Sequence, residues 1–461
     1  MIGRIQEQKE LERAYLSTDS EFVMVYGRRR VGKTYLVREF FQNRFVFSCT
    51  GVANGSREEE LMNFRSDLVR QGMPNCPVLR DWMEAFTFLR TLVEQSRDKR
   101  KVIFLDELPW MYTQKSDFLK ALEHFWNDWA AFQHNVVLVV CGSAASWMVK
   151  KITKSRGGLH DRITLPLKLQ PFDLSEVKAF LVSQGIYWDD RTIAECYMIL
   201  GGIPYYLKLL DKSLSLAQNI DRLFFASNAL LKSEFENLYA SLFRDSKDYV
   251  KIIEILSVKK SGFLRDEIVS KGKFKDGGSV SEKLDDLQEC GFISKFPAKG
   301  LVGSIYRLAD FYSLFYFQFI RNGSFGDEHY WMHLQGQPAY YTWKGLSFER
   351  LCFAHSGRIK FALGVDGVLT KLYAYCDKEV QVDMVLERND RVVNIFEIKC
   401  TDEPYAVTEA DERKFRLRRQ AISRLYKKQM ALSTILLSSE GVVPNAHAAT
   451  VQRVLTLNDL F

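Results

Sequence analysis

No run of apolar residues in this chain approaches the ~20 that a membrane-spanning helix needs, so the reading is of a protein with no membrane association. The opening residues, MIGRIQEQKELERAYL, carry charges every few positions and no apolar h-region. They read as an amphipathic helix and not as a signal peptide. The eight cysteines are scattered and nowhere form C-x-x-C, so zinc and disulfide frameworks both fail on spacing. A reducing, cytoplasmic setting is the simpler expectation. Charge of one sign is also scarce: 64 Lys+Arg against 57 Asp+Glu leave +7, which permits a nucleic-acid partner without demanding one. The 47% of hydrophobic residues is that of a soluble globular protein. The length suffices for about three domains.

Against that background one stretch stands out, EFVMVYGRRRVGKTYLVREF from Glu21 to Phe40. It reads as a short apolar strand (Phe22–Tyr26), a loop and a helix opening at Lys33. Gly27, Gly32, Lys33 and Thr34 fit G-x-x-x-x-G-K-[ST] at every fixed position. Such a loop wraps its backbone N–H groups round a polyphosphate, and glycines allow the close approach that a Cβ would block. The helix aims its positive end at the same phosphates. The loop residues Gly27, Arg28, Arg29, Arg30, Val31, Gly32, Lys33, Thr34 and Tyr35 are thus the expected nucleotide contacts, with Lys33 on the β/γ oxygens and Thr34 on Mg²⁺.

Two further apolar runs suit buried strands, and a third stretch reads as another strand. Val102–Leu105 ends in Asp106 and Glu107, at the carboxyl edge where open α/β sheets bind ligands. Asp106 is expected to hold Mg²⁺ through water, and Glu107 to polarise the water that attacks the γ-phosphate. Asn135–Cys141 ends near Ser143, which suits a γ-phosphate sensor and equally suits a plain turn. Ile163–Leu169 follows Arg162, either a finger reaching a neighbouring subunit's nucleotide or a surface ion pair.

Past residue 245, Tyr249, Ile252, Ile253 and Leu256 share one helix face, and Val280, Leu284 and Leu287 share another. Two strands, GFISKF and SIYRL, follow across the turn 297–303. This is a winged-helix pattern. Its third helix exposes Glu282, Asp285, Asp286 and Glu289 against Lys283, the wrong sign for a DNA groove. Docking to protein is the better expectation for that helix, with Lys295, Lys299 and Arg307 left as phosphate contacts. Phe311–Arg321 is densely aromatic and reads as a core helix before a stacking platform.

KGLSFERLCFAHSG reads as a helix carrying Glu349. EVQVDMVLERNDRVVNIFEIKC reads as a hairpin turning near Asp390, which sets Asp383 opposite Glu397 and puts Lys399 on the face of Glu397. Two carboxylates and an ammonium suit metal-assisted phosphodiester hydrolysis, with Asp383 and Glu397 on Mg²⁺ and Lys399 steadying charge. An ordinary charged pair on a surface strand is the plain alternative. The next helix concentrates Arg413, Lys414, Arg416, Arg418, Arg419, Arg424, Lys427 and Lys428. It is either a solvated face or a track for a nucleic-acid backbone.

The motifs GRRRVGKT, FLDELPWM, CGSAASWM, DRITLPL with QPFDLSE, and GGIPYYL resemble those of the archaeal-type ATPases in the AAA+/STAND group of P-loop NTPases, over about Ile2–Ile320. That resemblance implies a parallel sheet between helices (residues 1–170), a helical lid (171–245) containing GGIP, and a winged helix (246–321). A connector (322–340) would follow. The D…E-x-K hairpin resembles the PD-(D/E)XK nucleases over about Trp343–Leu457, which implies an α/β nuclease-like domain at 341–461, with Glu349 as a first-helix acid. Val382 stands where proline is usual before Asp383, and Gln420 has no tyrosine four residues on. Together the resemblances imply an ATP- and Mg²⁺-dependent protein, a homo-oligomer whose nucleotide cycle controls a DNA-cutting or DNA-binding domain. The rival expectation is a nucleotide-switched scaffold whose last domain cuts nothing.

Overall fold

A computed structural model describes residues 1–461 except 114–115, 154–158, 160, 244, 298–302, 322–325 and 378. Lys299, most of the turn 297–303 and the start of the connector therefore lie outside the described residues. The chain divides into two compact units, Met1–Pro171 and Phe172–Phe461. Among the described residues no helix is long and apolar enough to cross a membrane.

The first unit is built on five parallel strands: β1 (Glu21–Gly27), β2 (Phe47–Thr50), β3 (Lys101–Asp106), β4 (Val136–Gly142) and β5 (Leu165–Leu169), in the order β2-β3-β4-β1-β5. The continuous apolar runs are explained by burial on both faces. Alternate residues Phe22, Met24, Ile103, Leu105, Leu138 and Val140 join a core with Phe64, Trp82 and Phe86. Those aromatics come from the helices Arg57–Arg70 and Trp82–Gln95, which carry side-chain caps from Ser56 and Asp81. The intervening strand residues Val23, Val25, Val102 and Phe104 are equally buried. On that side lie the helices Ile5–Leu16 and Lys33–Phe40, with Arg38 over the Phe104 ring. Because β1 lies between β4 and β5, and β3 lies beside β4, the loops leaving β1, β3 and β4 open side by side at one edge.

The second unit begins with helices, including Leu174–Ser183, Asp190–Leu200 and Glu234–Leu242. Residues 311–320 run on as one helical segment whose rings pack against Trp331 and Trp343, so this aromatic stretch forms core. The helices Ser246–Val258, Arg265–Gly272 and Gly278–Glu289 accompany a small antiparallel sheet of β6 (Phe263–Leu264), β7 (Ile293–Pro297) and β8 (Ser304–Leu308), ordered β6-β8-β7. On the third helix of this module one expectation fails: Asp286 is buried, accepting a hydrogen bond from the Tyr249 hydroxyl at 2.8 Å, and does not belong to the exposed acidic face.

The remaining sheet follows the helix Pro338–Ala354. It comprises β9 (Thr370–Cys376), β10 (Gln381–Arg388), β11 (Val392–Lys399), β12 (Ala431–Ser438) and β13 (Arg453–Leu455), in reverse chain order across the sheet. β9, β10 and β11 are antiparallel neighbours, and β12 runs parallel to β11 after the helix Glu409–Ser423. The β10–β11 register pairs Met384 with Phe396, one step before Asp383 and Glu397, and so centres the turn on Asp390 as the sequence anticipates.

Candidate functional site

The loop leaving β1 is shaped by Gly27, whose φ of +144° and close approach to β5 admit no side chain. Arg28 and Val31 are buried, Arg29 and Arg30 half-buried, and Gly32 precedes the first turn of Lys33–Phe40. The Lys33 ammonium is buried inside the loop, donating to the carbonyl oxygens of Gly27 (3.1 Å) and Arg28 (2.8 Å). Tyr35 points outward and is exposed.

From the next strand but one, Asp106 accepts a hydrogen bond from the Thr34 hydroxyl at 3.1 Å. Burial raises the Asp106 carboxyl above its ordinary value and the neighbouring Glu107 adds to the rise; hydrogen bonds from Thr34, Cys141 and the Glu107 N–H oppose it. A hydroxyl and a carboxylate converging beside a cationic loop are the hard oxygen donors that fit Mg²⁺ on a polyphosphate. Glu107 sits in left-handed backbone, φ +48°, and this turn directs its carboxylate to β4. There Ser143 donates to it from both its backbone N–H (3.1 Å) and its hydroxyl. Lys33, Thr34, Asp106, Glu107 and Ser143 are thus gathered at one sheet edge. Arg162 is not tied to this group by any described contact; it is exposed in the turn ahead of edge strand β5.

A second cluster lies wholly within the second unit. Glu349 comes from Pro338–Ala354, Asp383 from a bulge in β10, and Glu397 and Lys399 from β11. The Ile398 N–H donates to Asp383 at 3.3 Å, tying the two strands. Cations balance every one of these carboxylates. Lys399 lies 2.7 Å from Glu397, whose other oxygen pairs with Arg418. Lys260 pairs with Glu349 and lies 3.7 Å from Asp383. Burial raises the Glu349 carboxyl, Asp383 raises it further, and Lys260 and Arg307 pull it down. Among the described residues no group of three or more His, Cys, Asp or Glu side chains is arranged to hold a metal ion.

Three cations near this cluster were misplaced or missed by sequence reasoning. Arg418, assigned to the exposed basic run, is turned inward onto Glu397. Arg307, assigned to phosphate contact near the wing, is buried; desolvation lowers its guanidinium to about 10 against the pull of Glu349 and Asp383. Lys260 carried no signal, because its partners are about 90 and 120 residues away in sequence and only the fold brings them together. The rest of the run, Arg413, Lys414, Arg416, Arg419, Arg424, Lys427 and Lys428, is exposed.

Residues 1–210 match the family described as "ATPase domain predominantly from Archaea". An uncharacterised protein of Methanocaldococcus jannaschii, MJECL04, is 25% identical over 407 residues, covering 87% of this chain and 88% of its own. An uncharacterised ATP-binding protein of the same organism, MJ0423, is 40% identical over 45 residues, which are 10% of this chain and 76% of that one. Among solved structures, the Walker-type ATPase PABY2304 of Pyrococcus abyssi aligns with a TM-score of 0.52 at 18% identity, over 69% of this chain and 96% of that one. The amino-terminal 210 residues therefore match an archaeal-type ATPase domain, a match that supports ATP binding and hydrolysis, and their fold is that of P-loop ATPases.

Proposed function

We propose that this protein is an ATP-driven switch whose cycle governs a carboxyl-terminal domain that binds or cuts a nucleic-acid backbone. The observation that carries the first half is the pair of contacts Thr34–Asp106 and Glu107–Ser143, which link the loops after β1, β3 and β4 into one site. In this reading the loop N–H groups and Lys33 neutralise the β/γ oxygens, and Thr34 and Asp106 hold Mg²⁺. When bound, that ion supplies charge neutralisation on the phosphates. Glu107 polarises a water for in-line attack, and Ser143 fixes which way the Glu107 carboxylate points. Arg162, exposed near an edge strand, suits contact with a nucleotide on a second copy, which makes the working form a homo-oligomer.

For the second half, three helices and a three-stranded antiparallel sheet, whose short first strand lies between the first and second helix, support a winged helix at 246–321. A helix, a meander, a second helix and a parallel strand carrying Glu349, Asp383, Glu397 and Lys399 support a nuclease-like domain at 341–461. The residues between are then the helical lid (171–245) and connector (322–340). The donors of the cluster are of the right type for Mg²⁺, and the exposed basic run on Glu409–Ser423 offers a phosphate track, with DNA the expected partner. One observation favours the scaffold reading: each carboxylate already has a cationic partner within the chain. Purified protein with ATP, Mg²⁺ and mixed DNA and RNA forms separates the two. Cleavage lost in both Asp383→Ala and Lys399→Ala supports the nuclease; nucleotide-dependent assembly without cleavage supports the scaffold, and cleavage that survives both substitutions refutes the site.

A further inference from the structure

Lys260 does not belong to the domain whose carboxylates it meets. It stands in the turn between the helix Ser246–Val258 and β6, whereas Glu349, Asp383 and Glu397 come from the helix Pro338–Ala354 and the β10–β11 hairpin. Its backbone is pinned to its own module. The Lys260 carbonyl accepts from Arg307 Nε at 3.1 Å. Gly262 two residues on has φ +80°, and a Cβ there would lie 2.4 Å from the Tyr306 carbonyl oxygen of β8. The backbone of the turn is therefore fixed to β8 and not to the strands that carry the carboxylates. Across the contact, Arg307 lies over the Phe353 ring at 4.5 Å and Phe296 lies 5.4 Å from it.

The chemistry of the cluster then depends on whether this module is seated. With Lys260 in place, a bare ammonium sits between Glu349 and Asp383, on oxygens that a divalent ion would need. Lys399 and Arg418 pair with Glu397, and the Arg307 guanidinium feels both Glu349 and Asp383, so positive charge is already gathered here. A second cation entering that space meets like charge at contact distance, where the Coulomb term is largest. The Lys260 side chain is 23% exposed and borders a cleft of about 460 Å³ that also touches Asp383, Tyr375 and Cys376. Water thus reaches the edge of the contact.

We infer that Lys260 is an intramolecular stand-in for a divalent cation, so that seating of the 246–308 module and loading of the Glu349–Asp383–Glu397 cluster exclude one another. The inference rests on the reading of this cluster as a cation site given above. Exclusion is reciprocal: whatever seats the module weakens the ion, and the ion weakens seating by the same factor.

The test titrates Mn²⁺ into full-length protein without nucleotide, reading free Mn²⁺ by electron paramagnetic resonance. Lys260→Met and Lys260→Gln should each bind Mn²⁺ about tenfold or more tighter than wild type. Lys260→Arg, which keeps the charge, should match wild type and so reports on folding. Adding Asp383→Asn to Lys260→Met should erase the gain. Equal Mn²⁺ affinity in wild type and Lys260→Met, both lost with Asp383→Asn, overturns the exclusion but leaves the cation site standing. Binding in no variant that depends on Asp383 overturns the cation site and the exclusion with it.

Discussion

Replacing Gly27 by alanine perturbs the nucleotide loop through the sheet that carries it. Gly27 is the last residue of β1 and pairs with Leu169 of β5. An alanine Cβ would lie 2.3 Å from the Leu169 carbonyl oxygen, backbone against backbone, so no side chain can swing away. Reaching an ordinary carbon–oxygen contact of ~3.3 Å requires one strand end to move by about 1 Å. The φ of +144° adds a backbone penalty of ~1–3 kcal/mol for any residue with a Cβ. Forcing the extra carbon into the packed edge costs a further ~1–3 kcal/mol. The sum, ~2–6 kcal/mol, is a large part of the 5–15 kcal/mol that a domain of ordinary stability has. Chemical denaturation should show the midpoint of the first unit falling accordingly, with nucleotide affinity falling too because the loop carbonyls that hold Lys33 move. Gly345→Ala, in mid-helix with open space around it, should change stability by no more than ~1 kcal/mol. A Gly27→Ala protein with wild-type midpoint and affinity would refute the argument.

Glu107→Gln should leave ATP affinity near wild type and lower turnover by ~10²–10⁴-fold, measured as phosphate release; Ser143→Ala should lower turnover by less, since it only loosens the Glu107 carboxylate. Glu60 is fully buried, accepts from the Val52 N–H at 2.7 Å, and is pushed up to about 7 by that burial. Its folded value lies above its unfolded one, so the folded state retains the proton and loses stability as pH rises from about 4.5 through about 7. Glu60→Gln should remove a pH dependence worth roughly 3 kcal/mol, seen as equal melting near pH 4 and a higher melting temperature than wild type near pH 8. Asp221 accepts from the Trp331 N–H at 2.7 Å and the Met332 N–H at 3.2 Å, both at the start of the helix Tyr330–Leu334. Asp221→Ala should cost ~2–4 kcal/mol in denaturation, as two partly or fully buried donors lose their acceptor.

Much of the first unit was legible because its physics is local. The strands β1, β3 and β4 are continuous apolar runs that only two-sided burial explains, and the motif residues stand at their ends. β2 was not legible, since four residues of mixed character give no period, and the helix Trp82–Gln95 went unread although Asp81 caps it. The hairpin register followed from its turn, so Asp383 and Glu397 were placed correctly relative to one another. What sequence spacing could not supply was the set of cations other than Lys399. Arg418 and Arg307 looked like surface charge because a composition count cannot show which face of an element turns inward. Lys260 belongs to a different module and meets the carboxylates only in three dimensions.

The most direct test of the central claim, that the loop at Gly27–Thr34 grips a triphosphate, is calorimetric titration of ATP with Mg²⁺ into folded wild type and Lys33→Ala. Lys33 is the buried ammonium of that loop. Wild type should bind one ATP per chain, and Lys33→Ala should bind ~10²-fold or more weakly while melting as a folded protein. No heat of binding in folded wild type, or equal affinity in the two proteins, would contradict the account.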